Sequence, residues 1–185
     1  MIGAYGGAEV KAAWLPKIAS GEVLVVLAQQ ERGARYQLDA CKTVAAQAGS
    51  GWTVSGAKHV VPAGDQADAF LVPAVVNGQI ALFIVERSAS GVNTQGYGTQ
   101  DGSRAAEVSL QNAPATLVTA DGLAALEHAV DIGIAAVCAE AVGVMDKTVA
   151  VTAEYLNTRK QFGVAIGTFQ ALRHRMACLL YTSPS

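Results

Sequence analysis

The side chains best able to do chemistry in this chain stand far apart. His59, His128 and His174 could carry protons or bind metal, but each is isolated in sequence and reads as a surface or packing histidine. Cys41, Cys138 and Cys178 form no CxxC pair. Neither a zinc site nor a disulfide framework is suggested, and a reducing compartment fits, with the cytoplasm as the expected location. No GxSxG, P-loop, GxGxxG or HExxH motif occurs, so there is no self-contained nucleophile, phosphate loop or zinc helix. Glu140 lies inside an apolar stripe. A catalytic carboxylate is one reading; a structural ion pair or a place at the edge of the core is the plainer one, since buried Glu is rare unless paired. The basic clusters at Arg159 and Lys160, and at Arg173, His174 and Arg175, read by composition as solvated helix faces.

The elements that must position these residues fall into two halves. From Gly21 to about Thr119, short β-branched runs alternate with turn residues. Val23–Ala28 is a continuous apolar run, the pattern of a strand buried on both faces. Trp52, Val54 and Gly56 follow a Gly49-Ser50-Gly51 turn. Phe70–Val76 and Ile80–Val85 flank Asn77-Gly78, a dipeptide suited to a two-residue hairpin because both positions need positive φ. Ala105–Gln111 alternates again. Strands at this spacing predict an antiparallel barrel or sandwich. After Asp121, a plausible N-cap, the period changes. Leu123, Leu126, Val130, Ile134, Val137, Ala141, Val144 and Thr148 step by three or four, predicting one helix to about Arg159, roughly 55 Å long at 1.5 Å per residue. Ala135, Ala136, Ala139 and Gly143 would let partner helices approach closely, so bundle mates or other subunits are implied. Gln161–Gly167 interrupts the pattern. Phe169, Leu172, Met176 and Leu179 resume it in a second, antiparallel helix. Trp14, Leu15 and Ile18 suggest a last helical turn of a preceding domain, stopped at Pro16.

The chain has 185 residues, with 13 Lys and Arg against 15 Asp and Glu. Hydrophobic residues make up 51% and charged residues 15%, enough apolar surface to offset chain entropy, so disorder is excluded. The near-neutral balance gives no pull toward nucleic acid or an anionic membrane. Ala129–Met145, the longest nearly apolar stretch, carries Asp131 and Glu140 and falls short of the ~20 clean residues of a membrane span. The N-terminus lacks the layout of a signal peptide.

Taken in order, several segments resemble the acyl-CoA dehydrogenase family. The first is Trp14-Leu15-Pro16-Lys17-Ile18-Ala19-Ser20-Gly21-Glu22. Gly51-Trp52, Gly56, Lys58, Ala67–Val72 and Leu82–Val85 follow. The most specific is the last, Glu154–Gly163, running on to Ile166-Gly167-Thr168-Phe169-Gln170. The resemblance implies a helical domain, a middle β-domain and a helical bundle. On that reading residues 1–22 are a remnant of the first, 23–119 the whole second and 120–185 the start of the third. The fold class is α+β, and the chain is a fragment. Residues 178–185 are read as an artefactual tail in preference to a genuine helix end.

The resemblance also implies FAD as cofactor and oxidation of an acyl-CoA thioester between Cα and Cβ. Electrons would pass to an electron-transfer flavoprotein from a homotetramer or heterotetramer. By position, Arg159 meets the FAD pyrophosphate of a neighbouring subunit, where a guanidinium fork suits phosphate. Gln161, Phe162, Ile166, Phe169 and Gln170 match the adenosine end; Phe162 and Phe169 have bundle packing as the plain alternative. Gln29, Gln30, Tyr36, Val60 and Val61 match positions beside the flavin ring and phosphates. Here the family's T-E-P-x-x-G-S-D stretch is Gln30-Glu31-Arg32-Gly33-Ala34-Arg35-Tyr36, with only Glu31 kept. Its flavin-packing aromatic is Val60, and a neighbouring Thr is Pro62. The E-x-x-x-R-Y form of Glu31–Tyr36, with Asp101-Gly102, Arg104–Val108 and Cys138–Gly143, resembles the branch of the pimeloyl-CoA dehydrogenase small subunit. Pimeloyl-CoA or another medium-chain or dicarboxylic acyl-CoA is the implied substrate. No catalytic base is assigned: the usual one lies beyond residue 185, and the alternative position falls near Gly133. A non-catalytic subunit of a heteromeric enzyme is the rival reading.

Overall fold

Phe70, Val72 and Ala74 alternate with Ala69 and Leu71, and all five are buried. Successive strand side chains point to opposite faces, so this strand is covered on both sides. The computed structural model of the protein describes residues 1–182. Two helices, α1 (Ile2–Tyr5) and α2 (Ala8–Ser20), precede seven strands. These are β1 (Val25–Leu27), β2 (Val44–Ala48), β3 (Gly51–Pro62), β4 (Ala69–Val76), β5 (Gln79–Glu86), β6 (Val92–Gly98) and β7 (Arg104–Thr119). Helix α3 (Gly122–Thr158), a short hairpin of β8 (Lys160–Gln161) and β9 (Val164–Ala165), one 3₁₀ turn (Ile166–Thr168) and α4 (Gln170–Thr182) follow.

Pairing runs β4–β2–β3–β7–β5, and β5 returns to β4, so five strands close into a barrel. Closure leaves these strands no free edge. The pairs are antiparallel except where β1 adds to β4 and where Val44 of β2 meets Val75 of β4. β6 lies along the first half of β7. Inside the barrel, Val54, Val61, Phe70, Val72, Phe83, Val85 and Val108 form the core, and Trp52 tilts against Phe83 at 5.4 Å between ring centres. Outside, Ala69, Leu71, Leu82 and Ile84 pack with Ile2 of α1, Val10 of α2, Val118 of β7 and Ala125 of α3. The Asn77-Gly78 turn forms as predicted, with φ of 49° and 82°.

Two expectations need correction. The run Val23–Ala28 is not a strand buried on both faces. β1 covers only Val25–Leu27 and is half-buried, because its single partner is β4, and Leu24 is exposed. The two-faced burial belongs to β4 and β5 instead. Nor does Pro16 stop its helix, since α2 continues to Ser20. Proline removes one hydrogen bond, but the last turn is closed by another pair. Gly21 N–H donates to the Ile18 carbonyl at 3.2 Å and Glu22 N–H to Lys17 at 2.9 Å, a Schellman ending.

The chain divides into two compact units, 1–129 and 130 onward, with the boundary inside α3. In the first unit Gly122 lies so close to β5 that a Cβ would come within 2.6 Å of the Ala81 carbonyl carbon. Ala125 and Leu126 are buried there, and Tyr5 donates to the Ala124 carbonyl and meets His128 edge-on. In the second unit α4 runs antiparallel to α3, placing Leu179 and Thr182 beside Val144, Met145, Thr148, Val149 and Thr152. Ile134, Val137, Val144, Val151 and Tyr155 are exposed. The reading that the apolar stretch Ala129–Met145 falls short of a membrane span is also corrected: within the longer α3 it belongs to a helix that is, by length and composition, long and apolar enough to cross a membrane. Its 37 residues end at Thr158, one residue short of the predicted limit. Of the tail assigned to 178–185, residues 178–182 continue α4, and 183–185 lie outside the described residues.

Gly56 marks a tight crossing in the barrel. A Cβ there would sit 2.4 Å from Thr43 Oγ1 and 2.8 Å from its Cα. Gly56→Ala is predicted to cost about 1–3 kcal/mol, as overpacking does, read as a lower urea midpoint with an unchanged slope.

Candidate functional site

Glu31 follows β1 in a loop, and Lys58 lies mid-β3, 27 residues later. Lys58 is fully buried and Glu31 is 6% exposed. Lys58 Nζ donates to Glu31 Oε1 at 2.7 Å. The same oxygen accepts the Thr43 hydroxyl at 2.7 Å and the Thr43 amide at 3.1 Å, while Oε2 accepts the Lys42 amide at 2.7 Å. Cys41 Sγ closes the cluster at 3.4 Å from Glu31 and 3.7 Å from Lys58. Burial alone would raise the Glu31 carboxyl, but the hydrogen bonds from Lys58, Thr43 and Lys42 outweigh it and hold the group at about 2. Burial pushes the Cys41 thiol up, so it stays protonated.

This pair fixes the loop that carries Gln29 and Gln30. One residue beyond Lys58, the His59 amide donates to the Gln30 carbonyl at 2.8 Å. Val60 then adopts φ +50°, an outlier for a β-branched residue. The result is a groove of about 520 Å³ lined by Val26, Leu27, Gln29, Gln30, Val60, Pro62 and Ala63. Three of the sequence-derived positions therefore converge: Gln29, Gln30 and Val60. Two do not. Val61 is 1% exposed and packs inside the barrel, because the backbone reversal at Val60 turns its side chain to the core. Tyr36 is 98% exposed and does not line the groove.

His59 is not isolated as its sequence context suggested. Its Nδ1 contacts Glu107 Oε2, and Glu107 Oε1 accepts the Val60 amide at 3.4 Å and the Tyr97 hydroxyl at 3.3 Å. Burial works to raise the Glu107 carboxyl, but hydrogen bonds from His59 and the Val60 amide leave it below the usual range. Burial, then Glu107, raises the Tyr97 hydroxyl. Neither Glu107 nor Tyr97 carried a sequence signal as a site residue. Glu140 is exposed, not at a core edge.

In the second unit, the β8–β9 hairpin turns at Phe162 and Gly163, with φ of 52° and 81°. Its base is tied by the Ile166 amide donating to the Arg159 carbonyl at 2.9 Å. Phe162 is 92% exposed and meets Phe169 edge-on at 6.1 Å, so neither ring is bundle core within this chain. Arg159, Gln161, Phe162, Phe169 and Gln170 are all exposed, with Ile166 half-buried beside them. Among the described residues the Arg159 guanidinium has no carboxylate partner. This segment therefore exposes a guanidinium, two aromatic rings and two side-chain amides.

Residues 120–182 match the family model of the acyl-CoA dehydrogenase C-terminal domain. The chain is 29% identical over 176 residues to acyl-CoA dehydrogenase FadE27 of Mycobacterium tuberculosis, covering 94% of this chain and 45% of that protein. It matches the crystal structure of an acyl-CoA dehydrogenase from Geobacillus kaustophilus with a TM-score of 0.90 at 26% identity, over 97% of this chain and 51% of that one. A solved steroid ACAD variant, Tcur3481–Tcur3483, gives a TM-score of 0.79 at 32% identity, over 94% and 46%. The chain thus spans about half the length of these proteins. A barrel followed by bundle helices is the architecture of the acyl-CoA dehydrogenase superfamily.

Replacing Lys58 by Met would strand the buried Glu31 carboxylate. The predicted cost is about 3–5 kcal/mol, and Glu31→Gln in the same chain should recover part of it. The lowered Glu31 pKa stabilises the fold above its ordinary value of 4.5, and that stabilisation is lost as pH falls toward about 2. The gap between wild type and Lys58→Met in thermal melts should therefore narrow on acidification through that window.

Proposed function

We propose that the protein carrying this chain, with its acyl-CoA dehydrogenase superfamily architecture, is an FAD-dependent dehydrogenase of acyl-CoA thioesters. The observation that carries the reading is the groove that gathers Gln29, Gln30 and Val60. Its walls are aliphatic and its two side-chain amides offer donors and acceptors, which suits the flat, polar-edged ring of a flavin. The exposed fork of Arg159 suits a pyrophosphate, and Phe162, Phe169, Gln161, Ile166 and Gln170 suit an adenosine. Val61 in the barrel core and Tyr36 on the surface stand apart from the groove.

FAD, when bound, supplies the hydride acceptor for the substrate β-hydrogen. The residues of this chain do the rest of the work assigned to them. Val26, Leu27, Val60 and Pro62 exclude water from the ring face; Gln29 and Gln30 orient its polar edge; Arg159 holds the negative charge of a neighbouring subunit's cofactor. No carboxylate lines the groove, so the proposal places the base that takes the α-proton outside these residues. Pimeloyl-CoA or another medium-chain or dicarboxylic acyl-CoA is the proposed substrate. An electron-transfer flavoprotein is the proposed acceptor, a tetramer the proposed assembly and the cytoplasm the proposed location. The alternative, motivated by the altered Gln30–Tyr36 segment and by Val60, is that this chain belongs to a non-catalytic subunit of a heteromeric acyl-CoA dehydrogenase.

The full-length protein is expected to purify yellow. Its flavin absorbance should bleach anaerobically on adding the right acyl-CoA from a panel of chain lengths and ω-carboxylates. Bound flavin that no thioester bleaches, alone or with a co-expressed partner subunit, contradicts the reading. Arg159→Ala should weaken FAD retention by about 1.5–3 kcal/mol, the loss of one charged hydrogen bond, read by equilibrium dialysis; unchanged retention removes Arg159 from the site.

A further inference from the structure

We infer that Glu107 is the positioning residue of the groove: its single carboxylate holds the β3 bulge that turns Val60 into the lining. The pairing register carries the inference. Lys58 faces Val108 and Val61 faces Ala106, so on β3 two residues, His59 and Val60, stand opposite one on β7, Glu107. That two-against-one count defines a β-bulge. The extra residue loses its ladder bond, and here it also adopts φ +50°, a conformation that strains any residue with a Cβ. Such a geometry persists only when its surroundings over-determine it. Glu107 supplies what the ladder does not: Oε1 accepts the orphaned Val60 amide at 3.4 Å and Oε2 contacts His59 Nδ1. Tyr97, from β6 on the far side of β7, donates to Oε1 at 3.3 Å and steadies the carboxylate. Behind the bulge, the His59 amide is taken by the Gln30 carbonyl. The Glu107 carboxylate thus fixes the bulge while the backbone amide of His59 fixes the opposite lip. Glu107 does not line the groove; it acts through Val60. That the groove holds a flavin rests on the function proposed above; that Glu107 sets its shape does not.

Hydrogen–deuterium exchange on the full-length protein tests the clamp without any ligand. Glu107→Ala should raise exchange several-fold in the peptide holding His59–Val61 while β4 and β5 keep wild-type protection. It should also shift the absorbance maximum and lower the retention of bound flavin. Glu107→Gln keeps an acceptor for the Val60 amide and should fall between; it carries the comparison if the alanine variant does not fold. In a Val60→Gly background, where positive φ is unstrained, the effect of Glu107→Ala on exchange should shrink. Wild-type exchange in the Glu107 variants overturns the inference, and so does faster exchange with an unchanged flavin spectrum. A wild-type protein that binds no flavin defeats the functional reading, and the exchange data alone then decide the clamp.

Discussion

A lysine with no exposed surface has to be paired, and in this protein much of the first unit is arranged around that requirement. Lys58 sits inside a barrel of valines and phenylalanines, and among the described residues only Glu31 meets its charge. The carboxylate is then satisfied on both oxygens by Lys42 and Thr43. Those contacts pin both ends of the loop between β1 and β2, and Thr43 in turn forbids any side chain at position 56. Removing either ion would leave the other uncompensated in an apolar interior, where such a change is among the most costly single events. The pair therefore acts as a fixed point, and the residues next to it, Gln30 and His59, inherit its position. A candidate ligand groove beside a buried ion pair is placed by the same contacts that keep the barrel closed.

The barrel supplies rigidity on a different basis. β4 and β5 are apolar on both faces because one face fills the barrel and the other receives α1, α2 and the first turns of α3. Removal of apolar area from water on both sides, at roughly 25 cal/mol per Å², makes these two strands the most strongly held part of the unit. Against this frame the irregular features stand out: the bulge at His59 and Val60, and the hairpin turn at Phe162 and Gly163. Both put positive φ on non-glycine residues, and both fall on segments that the resemblance associates with FAD. The exposed apolar residues of α3 are consistent with further helices completing a bundle, as in the architecture the chain matches.

What could be read from the sequence follows how local each signal is. The Asn77-Gly78 turn, the two strands that flank it and the long helical stripe of α3 are set by neighbours a few residues apart, and all three are present. β2 and β6 carry no such signal. Val92–Gly98 is a polar strand with two glycines, recognisable only through its pairing with β7. The apolar run Val23–Ala28 misled for the converse reason: hydrophobicity reports that a segment is wanted inside, not how much sheet flanks it. The site was legible as far as resemblance carried residue positions, and Gln29, Gln30 and Val60 do converge. That Val61 points into the core, and that Glu107 and His59 meet, depends on a bulge between strands 48 residues apart in sequence. No periodicity announces a bulge, because it is a break in one.

In the proposed function, the Val60 groove of one subunit and the Arg159 segment of a neighbouring subunit serve the two ends of one FAD molecule. A structure of the full-length protein with its native flavin tests this most directly. The account predicts the ring system against Val60, with Gln29 or Gln30 at its polar edge, and the pyrophosphate on Arg159 contributed by a neighbouring subunit. A flavin bound elsewhere, or one whose phosphates avoid Arg159 while the groove stands empty, would contradict it.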